Sequence, residues 1–392
     1  MKKRKEVYMK AIGIVAEYNP FHNGHIYQIE KIKEKYPDYC IIVVMCGNCT
    51  ERGEVTIIDK WKRTKIALEN KVDLVVELPF PFATQSADFF SYGAITILEY
   101  LQVEKVIFGS ESDNIKDLSL IAKTQIENDE FEKLVKIYSK MGNNYPTAIS
   151  LAIKDLTGKT IKTPNDLLGV SYIKTILKNN YKIIPETIKR TNDYHDINVK
   201  ENISSGTSIR KYIKENKDIK NQIPKEELTY FDKIYDIEDY FPLLKYKIIT
   251  EKDLSIYQTV EEGIENLLKK EILTVNSIEE LKLKVKSKRF TYNKISRMLL
   301  HILFNFTKED AKKYNKITYI RVLGFNNKGK DYLNKIKKKL KVPIISKIKR
   351  EKDPMLEFEM NTTKIYDILN KNNLVEREYQ NIIYLGEDYD KE

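Results

Sequence analysis

Two histidines three residues apart, His22 and His25, flank Asn23-Gly24, and the chain has only four histidines in all. Before them runs an unbroken apolar stretch, Ala11 to Ala16, which predicts a strand buried on both faces. After them Ile26-Tyr27-Gln28-Ile29-Glu30-Lys31-Ile32 has the spacing of the first turns of an amphipathic helix. Residues joining such a strand to such a helix lie at the carboxyl edge of an open sheet, where ligands bind. Gly24 allows close approach of a ligand to the backbone, and the helix start behind it favours an anion. Imidazole N–H groups can donate to phosphate oxygens, and protonation would strengthen them. The plainer alternative is a satisfied structural pair or half of a metal site.

A second candidate anion cradle is Thr207-Ser208-Ile209-Arg210, hydroxyls at a helix start followed by a guanidinium. Alone it is also a common helix-capping sequence. Gly109 closes the apolar run Lys105 to Gly109, where a glycine lets a flat base or a ribose lie on the backbone. Gly47-Asn48-Cys49-Thr50-Glu51-Arg52-Gly53-Glu54 is not a Walker loop, because its glycine spacing is wrong and it lacks Lys-Ser/Thr. Lys60-Trp61-Lys62-Arg63 carries the only tryptophan. It could touch an acid substrate, a nucleotide or RNA, or be a packed helix start. From Lys282 to Arg297 basic residues recur without an acid, with Phe290 and Tyr292 among them. Basic side chains neutralise phosphates and aromatic rings stack on unpaired bases. A second basic cluster spans 328–352. A solvated helix face is the alternative for both.

The elements that would position these residues alternate. Strands are expected at 11–16, 40–45, 73–78, 105–109 and 183–190, with helices at 59–70, 87–101 and from Pro164 onward. That order implies an α/β fold with a parallel sheet and right-handed crossovers. Residues 113–162 read as a helical, charged insertion. After a composition shift near 214–228, residues 240–316 carry helical periods. A short α+β tail follows, with a strand at 319–325, a helix at 330–340 and a strand at 342–346. The expected division is an α/β domain at 9–215 and a basic, mostly helical domain, suited to binding RNA, at 216–392.

His22-Asn23-Gly24-His25 resembles the HxGH signature of the HIGH-type nucleotidyltransferase superfamily. The longer string Val15-Ala16-Glu17-Tyr18-Asn19-Pro20-Phe21-His22-Asn23-Gly24-His25-Ile26-Tyr27-Gln28 resembles one branch of it, the bacterial tRNA(Met) cytidine acetate ligase family. The segment around Thr207, Ser208 and Arg210 is similar to the superfamily's ISSTxxR element. The loop from Gly47 resembles the branch's GNFxQRG, with Cys49 and Glu51 in place of the common Phe and Gln. The string Arg321 to Gly329 resembles its C-terminal domain. The resemblance implies a Rossmann-like sheet that holds ATP, with magnesium, along the string Val15 to Gln28 and at Gly109, Asn165, Arg190, Thr207 and Ser208. Catalytic roles fall to His22, His25 and Arg210. It implies an acetyl-adenylate formed from acetate, and transfer of the acetyl group to the wobble cytidine of elongator tRNA(Met). RNA contacts are expected at Lys288, Arg289, Tyr292 and Arg297, although this chain has fewer arginines around Asn293 and Lys294 than the branch often shows. On its residues alone Asn165 could be a helix cap and Arg190 a surface charge. A small-molecule adenylyltransferase of the pantetheine-phosphate or nicotinamide-mononucleotide kind would share both phosphate motifs without a long basic C-terminal half.

Composition is compatible with this. The 392 residues are 42% hydrophobic, enough for sizeable cores. The net charge of +11 and a pI near 9.0 suit a polyanionic partner, and a lysine-rich sequence bias would contribute to the same excess. Three cysteines argue against a disulfide framework and for a reducing, cytoplasmic setting. Cys46 and Cys49 form a C-x-x-C without the second pair a zinc site needs. The basic start Met1 to Lys5 superficially resembles a leader, but Glu17 and Asn19 break the apolar run after it, and Met9 could be the natural start. No stretch reaches the length of a membrane span.

Overall fold

The computed structural model describes residues 9–161, 163–190, 204–231, 234–348 and 353–386. The basic tail 1–8, Ile203 and residues 349–352 of the second basic cluster lie outside them. The order is β1 (Ala11–Ala16), α1 (Asn23–Lys35), β2 (Cys40–Cys46), α2 (Lys60–Glu69), β3 (Leu74–Leu78), α3 (Phe80–Ala83), α4 (Ala87–Tyr100) and β4 (Lys105–Ser110). The insertion is three helices, α5 (Ile115–Glu127), α6 (Asp129–Lys140) and α7 (Tyr145–Thr157), before α8 (Pro164–Lys178), β5 (Ile184–Lys189) and α9 (Gly206–Lys214). Then come α10 (Phe241–Thr250), α11 (Ile264–Glu271), α12 (Ile278–Val285), α13 (Tyr292–Leu303), α14 (Lys308–Lys313), β6 (Ile320–Asn326), α15 (Asn327–Ile336), β7 (Ile344–Ile345), α16 (Pro354–Tyr366), α17 (Leu374–Glu378) and β8 (Ile383–Leu385).

Apolar runs became the central strands because helices cover both faces of the sheet. Every residue of β2 and β3 is buried. The strand order is β5-β4-β1-β2-β3-β6-β7, with β8 on β6. Strands β5, β4, β1, β2 and β3 run parallel, as the alternation implied. Order reverses between β4 and β2 around β1, so the end of β1 is the switch point, and the histidine loop sits there.

The boundary expected near 215 is not a boundary of the sheet. Strand β6 pairs antiparallel with β3, and β7 and β8 pair with β6. One continuous hydrophobic core joins Val75 of β3 to Leu323 of β6 and to Tyr366 of α16. A buried charge network ties the same parts together. Lys60 Nζ lies 2.6 Å from Glu77 on β3 and 2.6 Å from Glu378 on α17. No described helix is long and apolar enough to cross a membrane.

Candidate active site

The turn after β1 holds a bulky residue in an uncommon backbone conformation. Tyr18 is buried at φ +48, a left-handed conformation that is unusual for a bulky residue, and the Asn19–Pro20 peptide bond is cis. The Tyr18 ring packs edge-on against Phe21 and His25, with centroids 4.7 Å away in each case. Asn19 Oδ1 accepts the Ile57 N–H at 2.9 Å. Beneath the turn lies Arg63, fully buried. Its Nη1 donates to Glu17 O at 2.7 Å and Cys46 O at 3.1 Å, its Nε to Ile58 O at 2.9 Å, and its Nη2 to Gly47 O. One guanidinium thus ties the ends of β1 and β2 together.

His22 caps α1. Its Nδ1 accepts the Gly24 N–H at 3.1 Å, and His25 Nδ1 accepts the His22 N–H at 3.1 Å. With both Nδ1 atoms acting as acceptors, each neutral ring carries its proton on Nε2, which has no partner among the described residues. The two rings stack at 3.7 Å. Burial, and then the nearby Arg190 charge, push the His22 pKa down to about 3; burial, with His22 and then Arg190, pushes His25 well below its usual value. Both rings are therefore neutral donors, without the added strength that protonation would bring.

Both histidines line a cleft of about 1180 Å³ at the strand ends. Arg210 reaches the same cleft from α9, donating to Asn19 O at 2.7 Å and pairing with Glu54 at 3.0 Å. Gly206, the first residue of α9, would bring a Cβ within 3.1 Å of Asn19 O, so α9 starts directly against the turn. Arg190 lies over Gly109, where a Cβ would meet its Cγ at 3.2 Å. Asn165 donates to Glu111, whose Oε1 is 3.6 Å from Arg190 Nε. Asn19 Nδ2, Arg190 Nε and Ser204 Oγ are buried without hydrogen-bond partners among the described residues, and all three residues line the cleft. Buried donors left open in this way suit a ligand rich in acceptor oxygens.

The fold brings together Val15, Ala16, Glu17, Tyr18, Asn19, Pro20, His22, Gly24, His25, Tyr27, Gln28, Gly109, Asn165, Arg190, Thr207 and Arg210 on one cleft. Four residues expected at the ATP site do not line it. Phe21 is in the core, and Ile26 packs against the core from a partly buried position. Asn23 turns away to Asn221 O at 2.8 Å. Ser208 is buried against the capping Ser205 hydroxyl, 2.8 Å away. The basic stretch divides. Arg289 and Arg297 line the cleft, and Arg297 pairs with Glu51 at 2.8 Å. Lys288 is exposed elsewhere, and Tyr292 donates to Glu279. Lys282 and Phe290 are buried, so neither is a surface contact.

The 60–63 segment is mostly a packed helix start, with Lys60, Trp61 and Arg63 buried. Cys46 and Cys49 are buried thiols whose pKa burial raises well above the ordinary value. Arg63 and Glu54 shape the site although they carry no individual expectation, only membership of the Lys60–Arg63 and Gly47–Glu54 segments.

The model of the HIGH Nucleotidyl Transferase family matches residues 9–381. The chain belongs to that family. Among HIGH nucleotidyl transferase relatives, the tRNA(Met) cytidine acetate ligase of Caldicellulosiruptor saccharolyticus is 42% identical over 374 residues, covering 91% of this chain and 94% of that one. The protein of the same name from Anoxybacillus flavithermus is 39% identical over 378 residues with the same coverage. In structure, Thermotoga maritima TmcAL in its apo form superposes with a TM-score of 0.89 at 30% identity, covering 96% of this chain and 100% of that one. The same protein bound with alpha-thio ATP gives 0.87 at 31% identity, with the same coverage.

Proposed function

We propose that the chain is an ATP-dependent ligase that acetylates the wobble cytidine of elongator tRNA(Met) to N4-acetylcytidine. Two lines support the reading: the name shared by relatives that match nine-tenths of the chain, and the site geometry. The observation that carries it is the convergence, on one cleft, of two neutral imidazoles with open Nε2 donors and of Arg210 from a distant segment.

In the first step an acetate oxygen attacks the α-phosphorus of ATP. The bond to the bridging oxygen breaks and pyrophosphate leaves. Negative charge grows on the phosphate oxygens, and fixed donors that need no reorganisation stabilise it. His22, His25 and Arg210 are those donors. Gly109, Asn165 and Arg190 hold the nucleoside end, and Thr207 lies beside Arg210. In the second step the cytidine amine attacks the acetyl carbon, the acyl–phosphate C–O bond breaks, AMP departs and the nitrogen loses a proton.

Magnesium would accompany the triphosphate. Among the described residues no group of three or more His, Cys, Asp or Glu is placed to hold a metal; magnesium needs at most one or two protein carboxylates beside the phosphates, and Glu17 and Glu51 line the cleft. The ligase name shared by relatives that match nine-tenths of the chain favours this reading over a small-molecule adenylyltransferase. The test is mass spectrometry of tRNA nucleosides after incubation with protein, ATP and acetate. An acetyl mass gain on cytidine that disappears without acetate is expected. Pyrophosphate release that ignores acetate would overturn the reading.

A further inference from the structure

The aromatic residues of the basic stretch cannot supply the stacking surface an unpaired base needs, because Phe290 is buried and Tyr292 lies off the cleft. A different set of large apolar side chains faces the cleft. Phe89, in the first turn of α4, is 45% exposed, Tyr145, at the start of α7, is 60% exposed, and Leu167 on α8 is 42% exposed. All three line the cleft. Large apolar side chains this open, gathered in one concavity, mark a binding surface more often than chance exposure does. They come from three separate helices, one of them in the insertion.

The same cleft is lined by Arg289, Lys294 and Arg297. The acidic partners of Arg289 and Lys294, on the 261–262 turn, are half exposed: Arg289 meets Glu262 at 3.2 Å and Lys294 meets Glu261 at 2.5 Å. Exposed pairs of this kind are weak and give way to a polyanion. Asp88, beside Phe89, is held by Lys174 at 2.9 Å, which mutes its repulsion of a phosphate. Flat apolar faces together with exchangeable cations are what a single unstacked nucleotide requires.

We infer that Phe89 and Tyr145 form the platform on which the target pyrimidine of single-stranded RNA stacks, while Arg289 and Lys294 take its flanking phosphates. The inference rests on the ligase reading and names the second-substrate site within it. The insertion is then the wall that receives the acceptor base, and the adenylate lies deeper, toward the histidines.

The experiment separates the two half-reactions for Phe89→Ala and Tyr145→Ala. Acetate-dependent exchange of pyrophosphate into ATP reads the first, and single-turnover acetylation of tRNA reads the second. Exchange should stay within about twofold, while transfer falls roughly tenfold or more per ring, the usual worth of one stacked base. Phe89→Tyr and Tyr145→Phe should recover most of it, and unchanged melting curves exclude misfolding. Equal loss in both half-reactions would assign the rings to the ATP base and overturn the inference, as would unaltered transfer. Absence of acetate-dependent exchange in the unsubstituted protein would instead sink the ligase reading, and the platform with it.

Discussion

Glu54 lies 3.0 Å from Arg210, on the guanidinium assigned here to phosphate. The carboxylate holds that side chain in place before nucleotide arrives, and it must yield when a triphosphate enters. The pair is partly exposed, so it adds little to stability. Glu54→Gln should lower the KM for ATP about threefold, with a melting temperature unchanged within error. Arg210→Ala should reduce kcat/KM for acetate-dependent pyrophosphate release by roughly 10²–10³, and Arg210→Lys should restore little, since an ammonium cannot reproduce the fork. Tighter ATP binding in Arg210→Ala would reverse the assignment.

His22→Ala and His25→Ala should each cost adenylation roughly 10² or more. Because the His22 pKa is about 3 in the free protein, kcat/KM should show no inflection from these rings between pH 6 and 8. A rate that drops tenfold per unit above pH 6.5 would mean that imidazolium is required. The same depression has a stability consequence with a definite sign. The unfolded chain protonates both rings near pH 6.5, whereas in the folded chain His22 takes its proton only near pH 3 and His25 only well below its usual range, so folding stability weakens as pH falls below 6.5. His301, pushed down to about 4 by burial, adds to the effect.

Glu359 gives the opposite slope. Burial, and then the charge of Glu77, push its carboxyl up to about 8, while the Phe80 N–H donates to it at 2.7 Å. Its folded pKa exceeds its unfolded one, so the stability it contributes is complete below about pH 4.5 and is lost as pH rises toward 8. Glu359→Gln keeps the acceptor for Phe80 and removes the titration. Its melting temperature should fall by roughly 5 °C less than that of the unsubstituted protein between pH 6 and 9. Parallel curves would refute the placement of a protonated carboxyl there.

Gly53 joins the two halves of the site. It sits at φ +78, and a Cβ there would fall 2.3 Å from the Arg297 backbone nitrogen. Gly53→Ala should destabilise the protein by about 2 kcal/mol or more. Moving that loop also separates Glu51 from Arg297. Both half-reactions should therefore slow together, which distinguishes this substitution from those at Phe89 and Tyr145.

The sequence by itself determined the parallel half of the sheet and the histidine turn. Their signals are local: an apolar run such as Cys40 to Met45 fits only a strand covered on both faces, and His22-Asn23-Gly24-His25 caps its own helix through bonds spanning two or three residues. Tertiary structure alone decided that β6 completes the sheet beside β3, because strand pairing across some 250 residues leaves no local trace. It also decided that Phe290 is core while Phe89 faces the cleft, that Arg63 clamps two strand ends, and that Glu54 and Glu51 occupy Arg210 and Arg297. Composition places charged and aromatic residues on a chain. Which of them are covered, and by what, depends on neighbours that only the folded chain supplies.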